Sequence, residues 1–170
     1  MNNVRFNFSV MTKHILITVL SLISFLSASG QQSKNCFQPV ESQQISVDPR
    51  TRRSAFPTAF DTWRLDFSAI RQKLSEAPWE FTPEAEMGKC IISIPVAGGA
   101  TEDFSVFEVA QLDAEARAAF PDIHCYSGIS KADPRRTVRF STTVRGFTAM
   151  IMHPDFNTSF VEPYTWGQTE

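Results

Sequence analysis

The chain has 170 residues, of which 42% are hydrophobic and 20% are charged, and its formal net charge at pH 7 is −2. This composition is typical of a soluble globular protein with one core, to which fifteen phenylalanines contribute most of the aromatic area. The weak net charge argues against binding to nucleic acid or to an anionic membrane surface.

Residues 1–30 have the layout of a secretory signal peptide. The apolar segment Ile15–Leu26 follows a basic residue and is too short to cross a bilayer as a helix, which takes about 20 residues. Small residues precede the predicted cleavage site between Gly30 and Gln31, and Met11 fits the start of this layout better than the first methionine. We therefore predict a secreted, extracellular protein without a stable membrane anchor; an uncleaved anchor is the alternative interpretation.

Residues 31–58 are polar, and their composition predicts a flexible lead-in. The Arg50–Arg53 cluster lies in this segment, where a solvated linker is favoured over a processing site for a trypsin-like enzyme. The folded domain is predicted for residues 59–166, and residues 167–170 form a tail.

Short apolar patterns predict the first elements of the folded domain. Alternation over Trp63–Phe67 predicts a strand, and Ser68 is the predicted N-cap of a helix that ends before Pro78. Trp79 and Phe81 follow in a loop or short strand, and we expect both rings to be core anchors.

The remaining chain predicts an antiparallel sheet. The predicted strands are Cys90–Val96, Phe104–Val109, Ile123–Ser127, Thr137–Val144, Phe147–His153 and Phe160–Tyr164. A helix with Asp113 as its N-cap precedes Pro121. Because short turns join most strands, we predict a single α+β domain, a mostly antiparallel sheet of about six strands with two short helices.

One hairpin is predicted in residue detail. It turns at Arg145-Gly146. On one face, Val138, Phe140 and Thr142 are expected to meet Phe147, Ala149 and Ile151 across the pair. The last strand is interrupted by Pro163, which predicts a position at a sheet edge.

The three cysteines, Cys36, Cys90 and Cys125, are compatible with an oxidising compartment. Cys90 and Cys125 both lie in predicted strands and could form a disulfide if their Cα atoms come within about 7 Å. Cys36 lies in the lead-in and is expected to be mobile. A thiolate that caps a protease zinc is the competing hypothesis, although a half-buried small hydrophobe is the simpler interpretation of Cys125.

The sequence predicts no catalytic residue and no metal ligand. It contains neither the His-Glu-x-x-His of a zincin nor the Gly-x-Ser-x-Gly of a serine hydrolase. His14 lies in the leader, and neither His124 nor His153 has an acidic neighbour that would make it a base. A dyad of Cys125 and His153 would require the two to meet across the sheet, which the spacing does not support. We therefore expect a non-enzymatic chain with no cofactor of its own.

Five segments, taken in order, carry the most specific pattern in the chain. They read WRLDFSAIRQKLSEAPWEF (63–81), CIISIPVAGGATEDFSVFEV (90–109), FPDIHCYSGI (120–129), TVRFSTTVRGFTAMIMHP (137–154) and FVEPY (160–164). Their order and spacing resemble the N-terminal propeptide domain of secreted bacterial reprolysin-like zinc metalloproteases. The resemblance covers about residues 60–165.

This resemblance implies a propeptide-like domain that assists the folding of a metalloprotease catalytic domain or keeps it latent, in cis or in trans. Zinc would belong to that catalytic domain. No zinc-capping thiol is implied, because the family commonly has a Thr-like residue where Cys125 stands. A catalytic unit does not follow before Glu170, so we expect a fragment, a truncated product or a free-standing module.

Contacts with the protease are expected at an edge strand or an exposed aromatic patch, by strand addition or by occlusion of the cleft. The candidate contact residues are Tyr126, Phe147, Phe160 and Tyr164. A free-standing extracellular binding or adhesion module that uses the same sheet is the alternative function. A small hydrolase is the third, and it would need an activated nucleophile in a cleft.

Overall fold

The computed structural model describes residues 35–41 and 57–165. Within these residues the chain is mostly antiparallel β-sheet, with one six-stranded sheet, one two-stranded sheet and three short helices. The prediction of a mostly antiparallel sheet is therefore confirmed. The predicted signal peptide, the Arg50–Arg53 cluster and the tail lie outside the described residues.

The strands of the larger sheet follow one another in chain order, each antiparallel to the next. They are β3 (Ile91–Val96), β4 (Ala100–Glu108), β5 (His124–Ser130), β6 (Thr137–Thr143), β7 (Gly146–Met152) and β8 (Thr158–Val161). The smaller sheet pairs β1 (Phe37–Pro39) with β2 (Trp63–Leu65), and the helices are α1 (Phe67–Leu74), α2 (Pro83–Glu86) and α3 (Ala114–Ala119). The predicted N-cap of α3 is confirmed, because Asp113 accepts a hydrogen bond from the Ala116 amide at 2.8 Å.

The hairpin predicted around Arg145-Gly146 is confirmed residue by residue. Its cross-strand pairs are Val138 with Ile151, Phe140 with Ala149 and Thr142 with Phe147. All six side chains are buried. The two-residue period of side-chain direction thus puts both strands of the hairpin on the same core.

Helix α1 covers the core face of the sheet with Ile70 and Leu74, which are buried in the same apolar cluster as the strand side chains. The helix begins one residue before Ser68, so the predicted cap is wrong. Asp66 is the N-cap instead, and its Oδ1 accepts a hydrogen bond from the amide of Ala69 at 2.9 Å. A carboxylate at this position also favours the positive end of the helix dipole, and the Ser68 hydroxyl donates to it.

The predicted flexible lead-in is wrong for residues 35–41. Cys36 and Phe37 are only 4% and 3% exposed, so Cys36 is not a mobile residue of a polar tail. The ring of Phe37 meets that of Phe147 edge-on, with centroids 5.3 Å apart. This aromatic contact and the β1–β2 ladder hold residues 35–41 in place, although the neighbouring sequence is polar.

The expectation that Trp79 and Phe81 are core anchors is also wrong. Their side chains are 42% and 94% exposed. The backbone here continues the sheet, since the Glu108 amide donates to the Pro78 carbonyl and the Glu80 amide to the Glu108 carbonyl, both at 2.8 Å. The segment therefore lies along the end of β4, where its side chains face outward.

Gly128 lies at a tightly packed position in the core. It lies on β5 between Val106 of β4 and Val138 of β6. A Cβ atom at this position would be 2.8 Å from Val106 Cγ1 and 3.0 Å from Val138 Cγ1. The two valines therefore occupy the space that a larger side chain would need.

Replacement of Gly128 by alanine is expected to lower the free energy of unfolding by about 1–3 kcal/mol, because the added methyl group overpacks this site. Urea unfolding followed by circular dichroism would measure the change. The control is Ser127→Ala, on the opposite face of the same strand, which is expected to change stability by about 0.5 kcal/mol or less. Equal midpoints for the two variants would contradict the packing described above.

Candidate functional site

The structure separates the four predicted contact residues into two groups. Tyr126 and Phe147 are 5% and 4% exposed and belong to the core, which removes them from any contact surface of the folded chain. Phe160 is 64% exposed on β8. Tyr164 is half-buried, with its ring centroid 6.3 Å from that of Phe60. The accessible part of the predicted surface therefore lies at β8 and the residues after it.

Within residues 35–41 and 57–165, the backbone groups on the outer side of β8 have no hydrogen-bond partner. The amide of His153 donates to the carbonyl of Asn157 at 2.9 Å and closes the β7–β8 hairpin. Because bonded and non-bonded positions alternate in an antiparallel pair, the N–H and C=O groups of Thr158 and Phe160 point away from β7. β8 is the last strand of the six-stranded sheet, so these groups lie on a sheet edge.

An exposed aromatic residue stands beside this edge in the β7–β8 turn. Phe156 is 98% exposed and has a φ of 65°, a left-handed conformation that is rare for a bulky residue. Asp155 supports the turn by accepting hydrogen bonds from the backbone amide and the side-chain amide of Asn157, at 3.2 and 2.7 Å. The sequence did not predict an exposed Phe156, because no local pattern indicates that a phenylalanine will occupy a left-handed turn position.

A groove of about 1100 Å³ borders β8. Residues 57–65 and 158–165 supply the two longest stretches of its lining, and Phe147 lies between them with residues 95–98. The lining is mixed, with exposed backbone and aromatic rings such as those of Phe60 and Tyr164. The open edge and a surface that can receive side chains thus adjoin each other.

The opposite edge of the sheet differs from β8. The amide of Val106 donates to the carbonyl of Cys90 at 2.9 Å, so the alternation turns the backbone groups of Ile91, Ser93 and Pro95 away from β4. Proline has no N–H to offer, and Pro95 is itself buried. Within the described residues, β3 thus turns two donors and three acceptors outward, and β8 turns two of each.

His124 has an acidic partner that the sequence analysis did not find. Its Nδ1 is 2.8 Å from Oε1 of Glu108, with side chains 38% and 17% exposed. The ring of His124 also stacks on that of Tyr126, with centroids 6.4 Å apart. The pair links the end of β4 to the start of β5. The sequence could have predicted this contact only if the register between β4 and β5 had been known. Cys125, the neighbouring thiol, faces the other side of the sheet.

His153 is held by a serine. Its Nε2 is 2.8 Å from Oγ of Ser159, which links the start of the β7–β8 turn to β8. The carboxylate of Asp155 is directed to Asn157 and not to the imidazole. Cys125 lies on β5 and His153 follows β7, two strands further on, so the structure does not bring this cysteine and this histidine together.

A buried polar cluster fixes the connection between β5 and β6. The carboxylate of Glu102 on β4 accepts hydrogen bonds from the Ser130 hydroxyl and from the Arg136 guanidinium. The Ser130 Oγ atom also accepts hydrogen bonds from the backbone amides of Ala132 and Asp133, at 3.0 and 3.1 Å. These bonds satisfy the Glu102 carboxylate and the Ser130 hydroxyl, which would be costly to bury alone, whereas Nε of Arg136 is buried without a hydrogen-bond partner among the described residues.

The Cys90–Cys125 disulfide does not form in this fold, which corrects the earlier prediction. Both cysteines are free thiols. Cys90 lies opposite Val106 of β4, whereas Cys125 lies on β5, so one whole strand separates them. They also face opposite sides of the sheet, since Cys90 is buried with the core and Cys125 alternates with the buried Tyr126. Strands two apart lie about 10 Å from each other, beyond the reach of a disulfide.

Among residues 35–41 and 57–165, no group of three or more His, Cys, Asp or Glu side chains is arranged to hold a metal ion. No helix in the same part of the chain is long and apolar enough to cross a membrane. Comparison with protein-family models, with curated proteins and with solved structures gave no match.

Cys90 and Cys125 are expected to be labelled by a thiol reagent in urea without prior reduction, because no disulfide joins them. Burial raises the pKa of both thiols, and Glu108 adds to the shift at Cys125. Labelling of the folded chain at pH 8 is therefore expected to be slower than labelling of the unfolded chain. Mass spectrometry of the two tryptic peptides would measure both, and a Cys90–Cys125 cross-link would contradict the fold.

Stability is expected to fall as pH rises above about 10, where an unfolded tyrosine ionises. Burial raises the pKa of Tyr126, so the unfolded chain releases its proton before the folded chain does. The Tyr126→Phe variant removes the hydroxyl whose pKa differs between the folded and unfolded chains. It retains Tyr164, so any effect of that second tyrosine is the same in both proteins. Urea unfolding at pH 8 and pH 11 should show a loss up to about 1 kcal/mol larger for the unmodified chain than for the variant. Equal losses of stability in the two proteins would indicate that the Tyr126 hydroxyl ionises as readily in the folded chain as in the unfolded chain.

Proposed function

We propose that this chain is a propeptide-like α+β domain of a secreted reprolysin-like zinc metalloprotease. Its role is to assist the folding of the catalytic domain, or to keep that domain latent, and it performs no catalysis itself. In this proposal residues 1–30 direct export and are removed. The observation that carries it is the order and spacing of the five sequence segments that resemble such a domain.

The fold supports the proposal in one respect. The segments at 90–109, 120–129, 137–154 and 160–164 supply β3 through β8, which are neighbours in a single sheet. The resemblance therefore extends over one continuous structural unit.

The chemistry of the described surface also favours binding. The exposed aromatic rings of Phe156 and Phe160 are the kind of side chain that protein interfaces bury. A free-standing extracellular binding or adhesion module is the alternative, and it would use the same strand and rings for a different partner.

The purified chain is expected to bind the catalytic domain of a reprolysin-like metalloprotease. Binding should reduce hydrolysis of a small peptide substrate, raise the yield of catalytic domain that refolds from urea, or do both. A serine protease with the same peptide substrate is the control for non-specific protection. Calorimetry, the hydrolysis rate and the refolding yield measure the three effects, and the absence of all three would contradict the proposed function.

A further inference from the structure

We infer that Asn157 is a site of asparagine-linked glycosylation in the exported chain. Asn157, Thr158 and Ser159 form the acceptor pattern Asn-x-Ser, in which the middle residue is not proline. The modification depends on one part of the function proposed above, the export directed by residues 1–30, because the sugar is transferred outside the cytoplasm. It does not depend on a metalloprotease partner.

The residue two positions before the asparagine makes the pattern more specific. It is Asp155, so the five residues read Asp-Phe-Asn-Thr-Ser. Bacterial oligosaccharyltransferases require an acidic residue at this position in addition to the hydroxyl residue. A second Asn-x-Ser pattern begins at Asn7, but Arg5 stands two positions before it, within the predicted signal peptide. Asn157 is therefore the one asparagine of the sequence that meets both conditions.

The structure places this asparagine where a transferase can reach it. Asn157 is exposed in the β7–β8 turn, and the neighbouring Phe156 is 98% exposed. The Nδ2 atom of Asn157 donates a hydrogen bond to Oδ2 of Asp155 at 2.7 Å. Because an amide nitrogen has two hydrogens, a sugar can replace one of them while the other keeps this bond. A glycan at Asn157 thus extends into solvent and displaces no core side chain.

The hydroxyl of the pattern becomes accessible when β8 opens. In the closed hairpin Oγ of Ser159 is 2.8 Å from Nε2 of His153. β8 pairs with β7 over four residues, so its opening breaks few backbone hydrogen bonds. Opening also releases Phe156 from a φ of 65°, which is unfavourable for a phenylalanine. The acceptor pattern can therefore be presented in extended form without unfolding of the core.

The charge state of Asp155 matches the requirement for an acidic residue. Hydrogen bonds from the side-chain and backbone amides of Asn157 hold the pKa of Asp155 below its usual range, so this carboxylate is ionised at neutral pH. The side chain is exposed, and no ion pair joins it to a lysine or arginine among the described residues. It is therefore accessible to a cationic group of the transferase.

The reaction is a substitution at the first carbon of a sugar that a diphosphate links to a lipid. The bond from that carbon to the phosphate oxygen breaks, and a bond from the carbon to Nδ2 of Asn157 forms. The bonding electron pair leaves with the lipid diphosphate, and one amide proton is released to a base of the transferase. No oxidant or reductant takes part, and Asn157 remains a neutral amide.

The test expresses the whole chain in a bacterial host that has an oligosaccharyltransferase and its lipid-linked oligosaccharide. The exported chain is expected to gain the mass of one oligosaccharide, which mass spectrometry should locate on the tryptic peptide that begins at Gly146. Asn157→Gln and Ser159→Ala are expected to abolish this gain. Asp155→Asn should abolish it as well, whereas the matched control Asp155→Glu keeps the carboxylate and the modification. Phe156→Ala alters the same turn outside the pattern and should still be modified.

Three results would contradict this assignment. An exported chain without the oligosaccharide, in a host that modifies another acceptor protein, would overturn the glycosylation site and leave the proposed function standing. A chain that stays in the cytoplasm with its leader attached would overturn both. Equal modification of Asp155→Asn and Asp155→Glu would overturn the role given to the carboxylate. A variant that folds poorly is still informative, because the transferase also modifies extended chain.

Discussion

The larger sheet buries one face, and most other features of the structure follow from that constraint. Along β5 and β6 the buried side chains are separated by two positions, and β7 repeats the pattern one strand further on. Each residue is thereby assigned to the core or to the outer face by its position alone. Tyr126 and Phe147 enter the core for this reason, and Phe160, with the same aromatic character, stays exposed.

The backbone hydrogen bonds impose a second alternation, and it decides which groups of each edge strand point outward. At β3 an outward position is occupied by Pro95, which has no donor. At β8 the outward positions are Thr158 and Phe160, which have both donor and acceptor. Pro163 follows β8 and limits its length without blocking these two residues. Within the described residues, each edge strand therefore turns two backbone donors outward, and β8 is the shorter of the two strands.

Local sequence patterns predict the parts of this fold that are local. The β6–β7 register follows from alternating residues on both sides of a short turn, and the Asp113 cap from one side chain at a helix start. Burial of Phe37 could not be predicted this way, because its partners Leu65 and Phe147 are distant in the chain. The same limit explains the mistaken Cys90–Cys125 pairing, which depends on the strand that lies between them. The open edge at β8 likewise depends on strand order, although Pro163 indicated an edge.

β8 is short and, within the described residues, pairs with β7 alone. Four residues pair with β7, so little free energy holds β8 against local opening. A partner strand that binds only the closed form stabilises β8 by mass action, and the stabilisation disappears when the partner is diluted or cleaved away. A long, fully paired interface strand would bind more tightly and release more slowly.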